Sequence, residues 1–365
     1  GMTLDEFVSS SRRLGIYKPG EPVEELAARL NLPVSRVIKL NANENLFLPR
    51  STLQRVLTEA AAEIDPRLYP GGEEAVLAEK LASLHGASPA HIILASGGDM
   101  IIDLIMSSLV KQGDTVLAVT PTFSMYPRTA KIKGLTFRAV SLDNRFMLDG
   151  EMVLEEAEGV GLIVLCTPNN PTSNQFNRGE VMKIVNGFEG FVLIDEAYAE
   201  FGNYSLVGEA LKRDNLIVLR TFSKAYGLAG LRLGYGVTNK VLACTLTERY
   251  LMPFSVPSFV LRVGAKLLDE RAAVLGAIEE VKREREALVD SLGKIEGVKA
   301  FPSDSNFVLF TTNKPYEKVY NRLLEKGVIL RRIGDVSGYS DCLRVTVAPR
   351  EITSIFLESL REVLV

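Results

Sequence analysis

The segment TFSKAYGLAGLRLGY, residues 221–235, is the most informative stretch of the chain. It follows the apolar run Leu216–Leu219, which predicts a buried strand. Lys224 has Thr221 and Ser223 just before it, and Arg232 follows eight positions later. An amine in this setting can form a Schiff base, while hydroxyls and a guanidinium can bind a phosphate. Because a lone lysine at a strand end is more often solvated surface, its role depends on its neighbours.

Polar residues follow three other predicted strands. Asp195 ends an apolar run, where an unpaired carboxylate is costly and a cationic partner such as a protonated ring nitrogen is expected. The segment CTPNNPT, residues 166–172, carries two asparagines that can donate to a ligand oxygen, although such clusters are usually turns. The segment ASGGD, residues 95–99, opens a predicted helix whose N–H groups can cradle a phosphate.

The region between residues 72 and 255 alternates short β-branched runs with helical stretches. This alternation favours a largely parallel sheet covered by helices on both faces. About seven strands are predicted, near residues 92–94, 116–119, 135–140, 161–166, 191–194, 215–219 and 232–237. Ligands of such sheets bind at the carboxyl ends of the strands, so the four motifs are expected to meet at one edge.

The pattern changes after residue 255, which predicts a separate, smaller α+β domain. We predict an N-terminal arm at residues 1–40 that packs on this domain, a large domain at 41–257 and the small domain at 258–365. Within the small domain the sequence predicts an amphipathic stretch over 258–293, a helix over 316–326, strands at 328–331 and 342–347, and a closing helix from Glu351.

Composition excludes several classes of protein. The 365 residues carry a net charge of −3, so no basic field favours nucleic acid or an anionic membrane, and neither is expected as a partner. The three scattered cysteines indicate a reducing, cytoplasmic location, and the polar start predicts no signal peptide. His85 and His91 have no metal-ligand spacing and are expected to be structural, and no metal is expected.

These motifs resemble those of the class I and II aminotransferases, fold-type I enzymes that use pyridoxal 5′-phosphate (PLP). Within them the chain is most similar to the histidinol-phosphate aminotransferase group. The strings that carry the resemblance are LNANEN (40–45), LYP (68–70), PTFSMY (121–126), PNNPT (168–172), DEAYAEF (195–201), the segment 221–235, SNFV (305–308), ILR (329–331) and CLRVTV (342–347). The resemblance implies a large domain with a mostly parallel seven-stranded sheet between helices and a smaller α+β domain.

The resemblance also implies the residues that handle the cofactor. Lys224 would bind PLP covalently and then act as the general base at the substrate Cα. Asp195 would keep the ring nitrogen protonated, Asn170 and Tyr198 would hydrogen-bond the phenolic oxygen, and Phe123 would stack on the ring. The phosphate would lie among Gly97, Gly98, Asp99, Thr221, Ser223 and Arg232.

The resemblance extends to the substrates, an amino donor and a 2-oxo acid acceptor. Arg344 would bind the substrate carboxylate, with Asn170 beside it, while Arg331 and Tyr17 would bind the distal end of the substrate, including a phosphate. Either arginine, considered alone, is also compatible with an exposed strand position. Tyr69 would reach the phosphate of the partner subunit's cofactor, which implies a homodimer with an active site shared across the interface.

Three positions depart from the pattern of this family. Met100 stands where an acidic residue is usual, Ser173 replaces a glycine, and Phe123 replaces a tyrosine. None of them removes a group that handles PLP.

The preferred reaction is transfer of the amino group of L-histidinol phosphate to 2-oxoglutarate, as in histidine biosynthesis. An aromatic amino acid aminotransferase and a phosphothreonine decarboxylase remain alternatives within PLP chemistry. A non-catalytic PLP-binding module is a fourth interpretation, which retention of the whole set of cofactor residues disfavours.

Overall fold

The computed structural model describes residues 1–365. Its α-helices are α1 (Leu4–Ser11), α2 (Val23–Leu30), α3 (Arg50–Glu63), α4 (Glu73–His85), α5 (Gly98–Ser108), α6 (Met125–Ile132), α7 (Gly150–Glu155), α8 (Arg178–Gly187), α9 (Val207–Ala210), α10 (Lys240–Thr245), α11 (Ser258–Asp269), α12 (Arg271–Gly293), α13 (Tyr316–Glu325) and α14 (Arg350–Leu364). None of these helices has both the length and the apolarity required to cross a lipid bilayer.

The strands are distributed among three sheets. In chain order they are β1 (Ile38–Lys39), β2 (Ile92–Ala95), β3 (Thr115–Thr120), β4 (Thr136–Ser141), β5 (Val160–Cys166), β6 (Phe191–Asp195), β7 (Leu216–Thr221), β8 (Gly234–Val237), β9 (Val298–Ala300), β10 (Phe307–Thr312), β11 (Val328–Ile329), β12 (Arg331–Val336) and β13 (Tyr339–Thr346).

Seven strands form the main sheet, in the order β2–β8–β7–β6–β5–β3–β4. Strands β3 to β7 run parallel to one another, and only β8 runs antiparallel to its two neighbours. The predicted α/β fold, with a mostly parallel seven-stranded sheet and a smaller second sheet, is therefore confirmed.

Both faces of the main sheet are buried. In β5, Ile163 and Leu165 pack into the larger apolar core, whereas Leu162 and Val164 pack into a smaller core on the opposite face. Strands buried on both faces read as continuous apolar runs rather than as an alternation of apolar and polar residues. Polar side chains are consequently concentrated at the strand ends, where the loops begin.

The antiparallel strand β8 begins at the edge where β2 and β7 end. Gly234, its first residue, pairs with Ala95 of β2 and with Thr221 of β7. A Cβ atom on Gly234 would lie 2.7 Å from the backbone of Gly97, so the two segments touch directly. The loops that follow β2, β5, β6 and β7 therefore lie along one edge of the sheet.

The C-terminal part contains an antiparallel sheet in the order β12–β13–β10–β9. The stretch predicted over 258–293 is divided into α11 and α12, with Glu270 in a non-helical conformation between them. Apolar residues occur on both sides of this break, so their spacing does not reveal it. The strand predicted at 328–331 is also divided, because β11 pairs with β1 whereas β12 pairs with β13.

The first forty residues contact two parts of the molecule. Strand β1 pairs in parallel with β11, with Ile38 opposite Val328. Arg128, in α6, donates from Nη1 to the carbonyl of Gly15 at 2.6 Å. Helix α1 buries none of its residues. The domain boundaries at residues 40 and 257 stay predictions.

Candidate active site

The Lys224 amine lies at the carboxyl edge of the main sheet, in the loop after β7. Its Nζ donates to the carbonyl of Ala42 at 3.0 Å and lies 5.6 Å from the centre of the Tyr198 ring. Burial and, to a smaller extent, the positive charge of Arg344 together lower the pKa of this amine to about 8. A lysine with a lowered pKa supplies the neutral amine that nucleophilic and general-base chemistry need.

Asp195, the last residue of β6, is 3% exposed and forms no ion pair with any side chain. Its Oδ2 accepts a hydrogen bond from the Tyr126 hydroxyl at 2.6 Å, and its Oδ1 accepts one from the Ala197 N–H at 3.0 Å. Burial raises the pKa of Asp195 to about 6 despite these two bonds. The charge of Lys224 acts on the same carboxylate, so the two groups share one site.

Tyr198 follows Asp195 by three residues and is buried beneath the same edge. Its hydroxyl oxygen accepts a hydrogen bond from Asn43 Nδ2 at 3.0 Å, while Asn306 Nδ2 donates to the Asn43 carbonyl at 2.8 Å. Burial raises the pKa of Tyr198 to about 12. Because an amide N–H can only donate, the Tyr198 proton remains available to a ligand.

Arg344 connects the second sheet to the site. Its Nη1 donates to Asn170 Oδ1 at 2.8 Å and its Nη2 donates to the Asn41 carbonyl at 2.6 Å. Arg331 lies directly opposite it in the pairing of β12 with β13. Burial, together with the smaller effect of the Arg331 charge, lowers the pKa of Arg344 to about 10, while Tyr17 is near enough to oppose this shift. Like charges placed opposite each other are destabilising, so this pair is suited to an anion.

The residues that the sequence predicts to hold a phosphate lie around Arg232. Arg232 Nη1 lies 3.5 Å from the Ser223 hydroxyl, and Nη2 lies 3.4 Å from Asp99 Oδ2. Gly97 has a φ of 90°, and a Cβ atom there would lie 2.7 Å from Arg232 Nη2. Helix α5 begins next to it, at Gly98, so its free N–H groups point into the same space. The Thr221 hydroxyl accepts from the Ser223 N–H at 3.0 Å, which holds the loop against the cradle.

Three aromatic residues predicted for the site, Tyr69, Tyr17 and Phe123, differ in their surroundings. Tyr69 is 81% exposed and stacks on Phe254, with ring centres 5.0 Å apart. Tyr17 is 59% exposed. Phe123 packs edge-on against Tyr126, with ring centres 5.6 Å apart. Arg332 lies over the Tyr320 ring at 4.7 Å, on the face of β12 opposite to Arg331, as the strand period predicts.

The two histidines have structural surroundings. His85 Nε2 is 2.7 Å from the Tyr235 hydroxyl, and burial lowers the pKa of this histidine to about 3. His91 Nδ1 accepts from the Ser88 N–H at 3.1 Å in a short helical turn. No group of three or more histidine, cysteine or acidic side chains is arranged to hold a metal ion.

Ser173, at a position where the family pattern has glycine, adopts a backbone conformation that favours glycine. Its φ is 68°, a value that favours glycine, and its side chain is fully buried. The Ser173 N–H donates to the Asn169 carbonyl at 2.7 Å, and its hydroxyl donates to the Pro302 carbonyl at 3.3 Å. These bonds offset part of the strain, so the turn that carries Asn170 keeps its form.

Sequence reasoning missed two polar partners in the site. Tyr126 donates to Asp195, and Asn43 donates to Tyr198. Both tyrosine and asparagine lie in strings that carry the family resemblance, but they are 69 and 155 residues from their partners. No local sequence pattern predicts contacts between residues so far apart in the chain.

The geometry fits a flat ligand with three distinct functional groups. A protonated ring nitrogen would satisfy Asp195, a carbonyl carbon would react with Lys224, and a phosphate would lie in the cradle beside Arg232. The two arginines of the second sheet could bind a second anionic group, carried by a substrate.

The family model for aminotransferase class I and II matches residues 35–359. A histidinol-phosphate aminotransferase from Caldanaerobacter subterraneus subsp. tengcongensis is 35% identical over 347 residues, which cover 93% of this chain and 98% of that relative. Among solved structures, histidinol-phosphate aminotransferase from Sinorhizobium meliloti in complex with pyridoxal-5'-phosphate has a TM-score of 0.85 at 23% identity, covering 95% of both chains. L-threonine-O-3-phosphate decarboxylase from Porphyromonas gingivalis has a TM-score of 0.78 at 20% identity, covering 90% of this chain and 99% of that one. At such identities the structures show a shared fold.

We predict that Asp195→Asn stabilises the cofactor-free protein at pH 8. The folded-state pKa of Asp195, about 6, lies above the ordinary aspartate value of 3.8, so ionisation costs about 3 kcal/mol of stability as pH rises through this window. Asparagine does not ionise, and its gain should therefore shrink towards pH 4. Chemical denaturation across this pH range measures the effect.

Asp103→Asn is the matched control, because the Asp103 side chain is 59% exposed. It should change stability by less than about 0.5 kcal/mol at either pH. Destabilisation by Asp195→Asn at pH 8 would contradict the assigned cost of the buried charge.

Proposed function

The chain belongs to the class I and II aminotransferases, and on this premise we propose that it transfers the amino group of L-histidinol phosphate to 2-oxoglutarate, with PLP as its cofactor. The observation that carries the proposal is the 35% identity, over 93% of the chain, to a relative named for this reaction. The Arg331–Arg344 pair supports it, because a phosphorylated amino donor needs a cationic site beyond the cofactor phosphate cradle.

The residues present fit PLP. Asp195 is a buried carboxylate that forms no ion pair in the chain, which suits the ring nitrogen of the cofactor. Lys224 would hold the carbonyl group, Asn170 and Tyr198 would bind the phenolic oxygen, and Phe123 would cover the ring. The phosphate would be held by Gly97, Gly98, Asp99, Thr221, Ser223 and Arg232. When bound, PLP supplies an electron-accepting ring that stabilises negative charge at the substrate Cα.

Lys224 is the group that we propose to move the substrate proton. Its lowered pKa of about 8 leaves a useful fraction of neutral amine near neutral pH. The Ala42 carbonyl, 3.0 Å from Nζ, orients the amine in the absence of a ligand. Burial around this edge excludes water, which strengthens the interaction of Arg344 with an anionic substrate.

The two substrates carry different anionic groups, a phosphate ester and a carboxylate, on the same side of the reacting carbon. L-Histidinol phosphate carries a phosphate ester, CH₂–O–PO₃, on its amino-bearing carbon, where 2-oxoglutarate carries the α-carboxylate on its carbonyl carbon. We propose that Arg344 binds the carboxylate and that Arg331, with Tyr17, adds the contacts that the larger phosphate requires. Asn170 fixes the direction of the Arg344 guanidinium through their 2.8 Å hydrogen bond.

We infer a homodimer with a shared active site. Tyr69 is 81% exposed, and two further exposed apolar side chains lie beside it, Leu68 at 67% and Phe254 at 53%. A cluster of large apolar side chains in solvent is typical of an interaction surface. Tyr69 would then reach the cofactor phosphate of a second copy, as the family resemblance implies.

A cytoplasmic location is part of the proposal. Cys166, Cys244 and Cys342 are all free thiols, and two of them are buried. Free thiols persist in a reducing compartment.

The substrate proposal is tested by single-turnover half-reactions. The PLP form is mixed with L-histidinol phosphate, phenylalanine, tyrosine or phosphothreonine, and conversion of the cofactor is followed by absorbance. We expect histidinol phosphate to react at least about ten-fold faster, since charge-assisted contacts to its phosphate are worth about 1.5–3 kcal/mol. A rate with phenylalanine that equals it would favour an aromatic aminotransferase, and CO₂ release from phosphothreonine would favour a decarboxylase.

Arg331→Ala should slow the half-reaction with histidinol phosphate by about 10–100-fold, because one charge-assisted interaction with phosphate is lost. The half-reaction with phenylalanine should change by less than about three-fold. Arg332→Ala is the control, since this neighbouring arginine lies on the opposite face over Tyr320. Equal losses with both substrates would show that Arg331 does not recognise phosphate.

Mixed dimers test the shared active site. Tyr69→Ala and Lys224→Ala variants are each expected to be strongly impaired. If Tyr69 serves the other subunit, a mixed dimer has one site with both native residues, so the mixed dimers isolated through both tags should have about half of wild-type activity and an unfractionated random mixture about a quarter. Co-expression with two affinity tags and an activity assay measures this. Activity no higher than the mean of the two parents would place Tyr69 in its own subunit's site or in none.

A further inference from the structure

Tyr126 is a fully buried residue of α6 to which neither the family resemblance nor the proposed function gives a role. Its hydroxyl lies 2.6 Å from Asp195 Oδ2. The aromatic ring packs edge-on against Phe123, the residue expected to stack on the cofactor. One side chain therefore contacts the predicted partners of both the nitrogen and the face of the cofactor ring.

The direction of the Tyr126–Asp195 hydrogen bond is fixed by chemistry. Burial raises the pKa of Tyr126 well above its ordinary value, so the phenol keeps its proton and donates. An ionised carboxylate can only accept. The bond therefore stabilises the charged form of Asp195, and it lowers the pKa of Asp195 against the larger effect of burial.

Asp195 has few other means of remaining ionised and oriented. Besides Tyr126, its one hydrogen-bond donor in the chain is the Ala197 N–H, on the other carboxylate oxygen. Cys166 lies in register with Asp195 on β5, but its thiol donates to the Pro168 carbonyl at 3.3 Å. With the phenol removed, Oδ2 would have no donor from the protein, and the carboxyl would bind a proton more readily.

We infer that Tyr126 is a positioning residue, which holds the Asp195 carboxylate charged and aimed so that the cofactor ring nitrogen, rather than the carboxyl, keeps the proton between them. The inference rests on the proposed function, because it requires PLP as the ligand. A carboxylate made more basic by loss of its donor competes for that proton, and the ring then accepts electrons less well.

A buried tyrosine can also serve only to fill the core. Such a role depends on the ring, which Tyr126→Phe preserves, and not on the hydroxyl. It would influence the binding of any ligand of the same shape. The positioning role depends on the ring nitrogen, so it disappears when the ligand has carbon in that position.

The test compares the affinity of the apoprotein for PLP and for 1-deazapyridoxal 5′-phosphate, in which C–H replaces the ring nitrogen. Tyr126→Phe should weaken the binding of PLP about ten-fold and leave the binding of the analogue within about three-fold, consistent with loss of one charge-assisted hydrogen bond. With ¹⁵N-labelled PLP, the ring-nitrogen resonance should move towards the unprotonated position in this variant.

Tyr204→Phe is the matched control, because it removes a hydroxyl that donates to the Phe176 carbonyl at 2.6 Å, away from the Asp195 carboxylate. It should leave the ratio of the two affinities and the ¹⁵N shift unchanged. Equal losses for both ligands in Tyr126→Phe, or an unchanged ¹⁵N shift, would overturn the inference. A wild-type protein that binds neither PLP nor the analogue would instead overturn the proposed function.

Discussion

A buried carboxylate that forms no ion pair is the constraint on which the rest of the site depends. Asp195 ends β6 at 3% exposure, and only two hydrogen bonds from the protein compensate its charge. A group of this kind destabilises the unliganded fold, and the large apolar core on both sides of the sheet offsets that cost. The charge of Asp195 is unfavourable only in the unliganded protein, because a cationic group of the ligand pairs with the carboxylate.

Much of the architecture could be predicted from the sequence. The parallel strands are continuous apolar runs because helices cover both faces, and each polar motif begins where such a run ends. The ends of the apolar runs predict the positions of Lys224, Asp195, Asn170 and the turn at Gly97. Their convergence follows from the general rule that parallel strands present their carboxyl ends at one edge.

Other features of the site could not be predicted from the sequence. The contacts of Tyr126 with Asp195 and of Asn43 with Tyr198 join distant segments, and tyrosine or asparagine in those positions is compatible with simple packing. The pairing of Arg331 with Arg344 depends on the register of two strands, which periodicity does not determine. The break at Glu270 has no proline or glycine to mark it.

The close packing around Gly234 and Gly97 restricts both positions to glycine, for two different reasons. A methyl group at position 234 would lie 2.7 Å from backbone atoms of Gly97 and Gly98, and no side-chain substitution can remove backbone atoms. A methyl group at 97 would meet the guanidinium of Arg232, which a shorter side chain could relieve only by giving up the cation. Backbone geometry thus excludes any side chain at position 234, whereas at position 97 the need for the Arg232 cation excludes one. A second substitution elsewhere could therefore hardly compensate for the loss of either glycine.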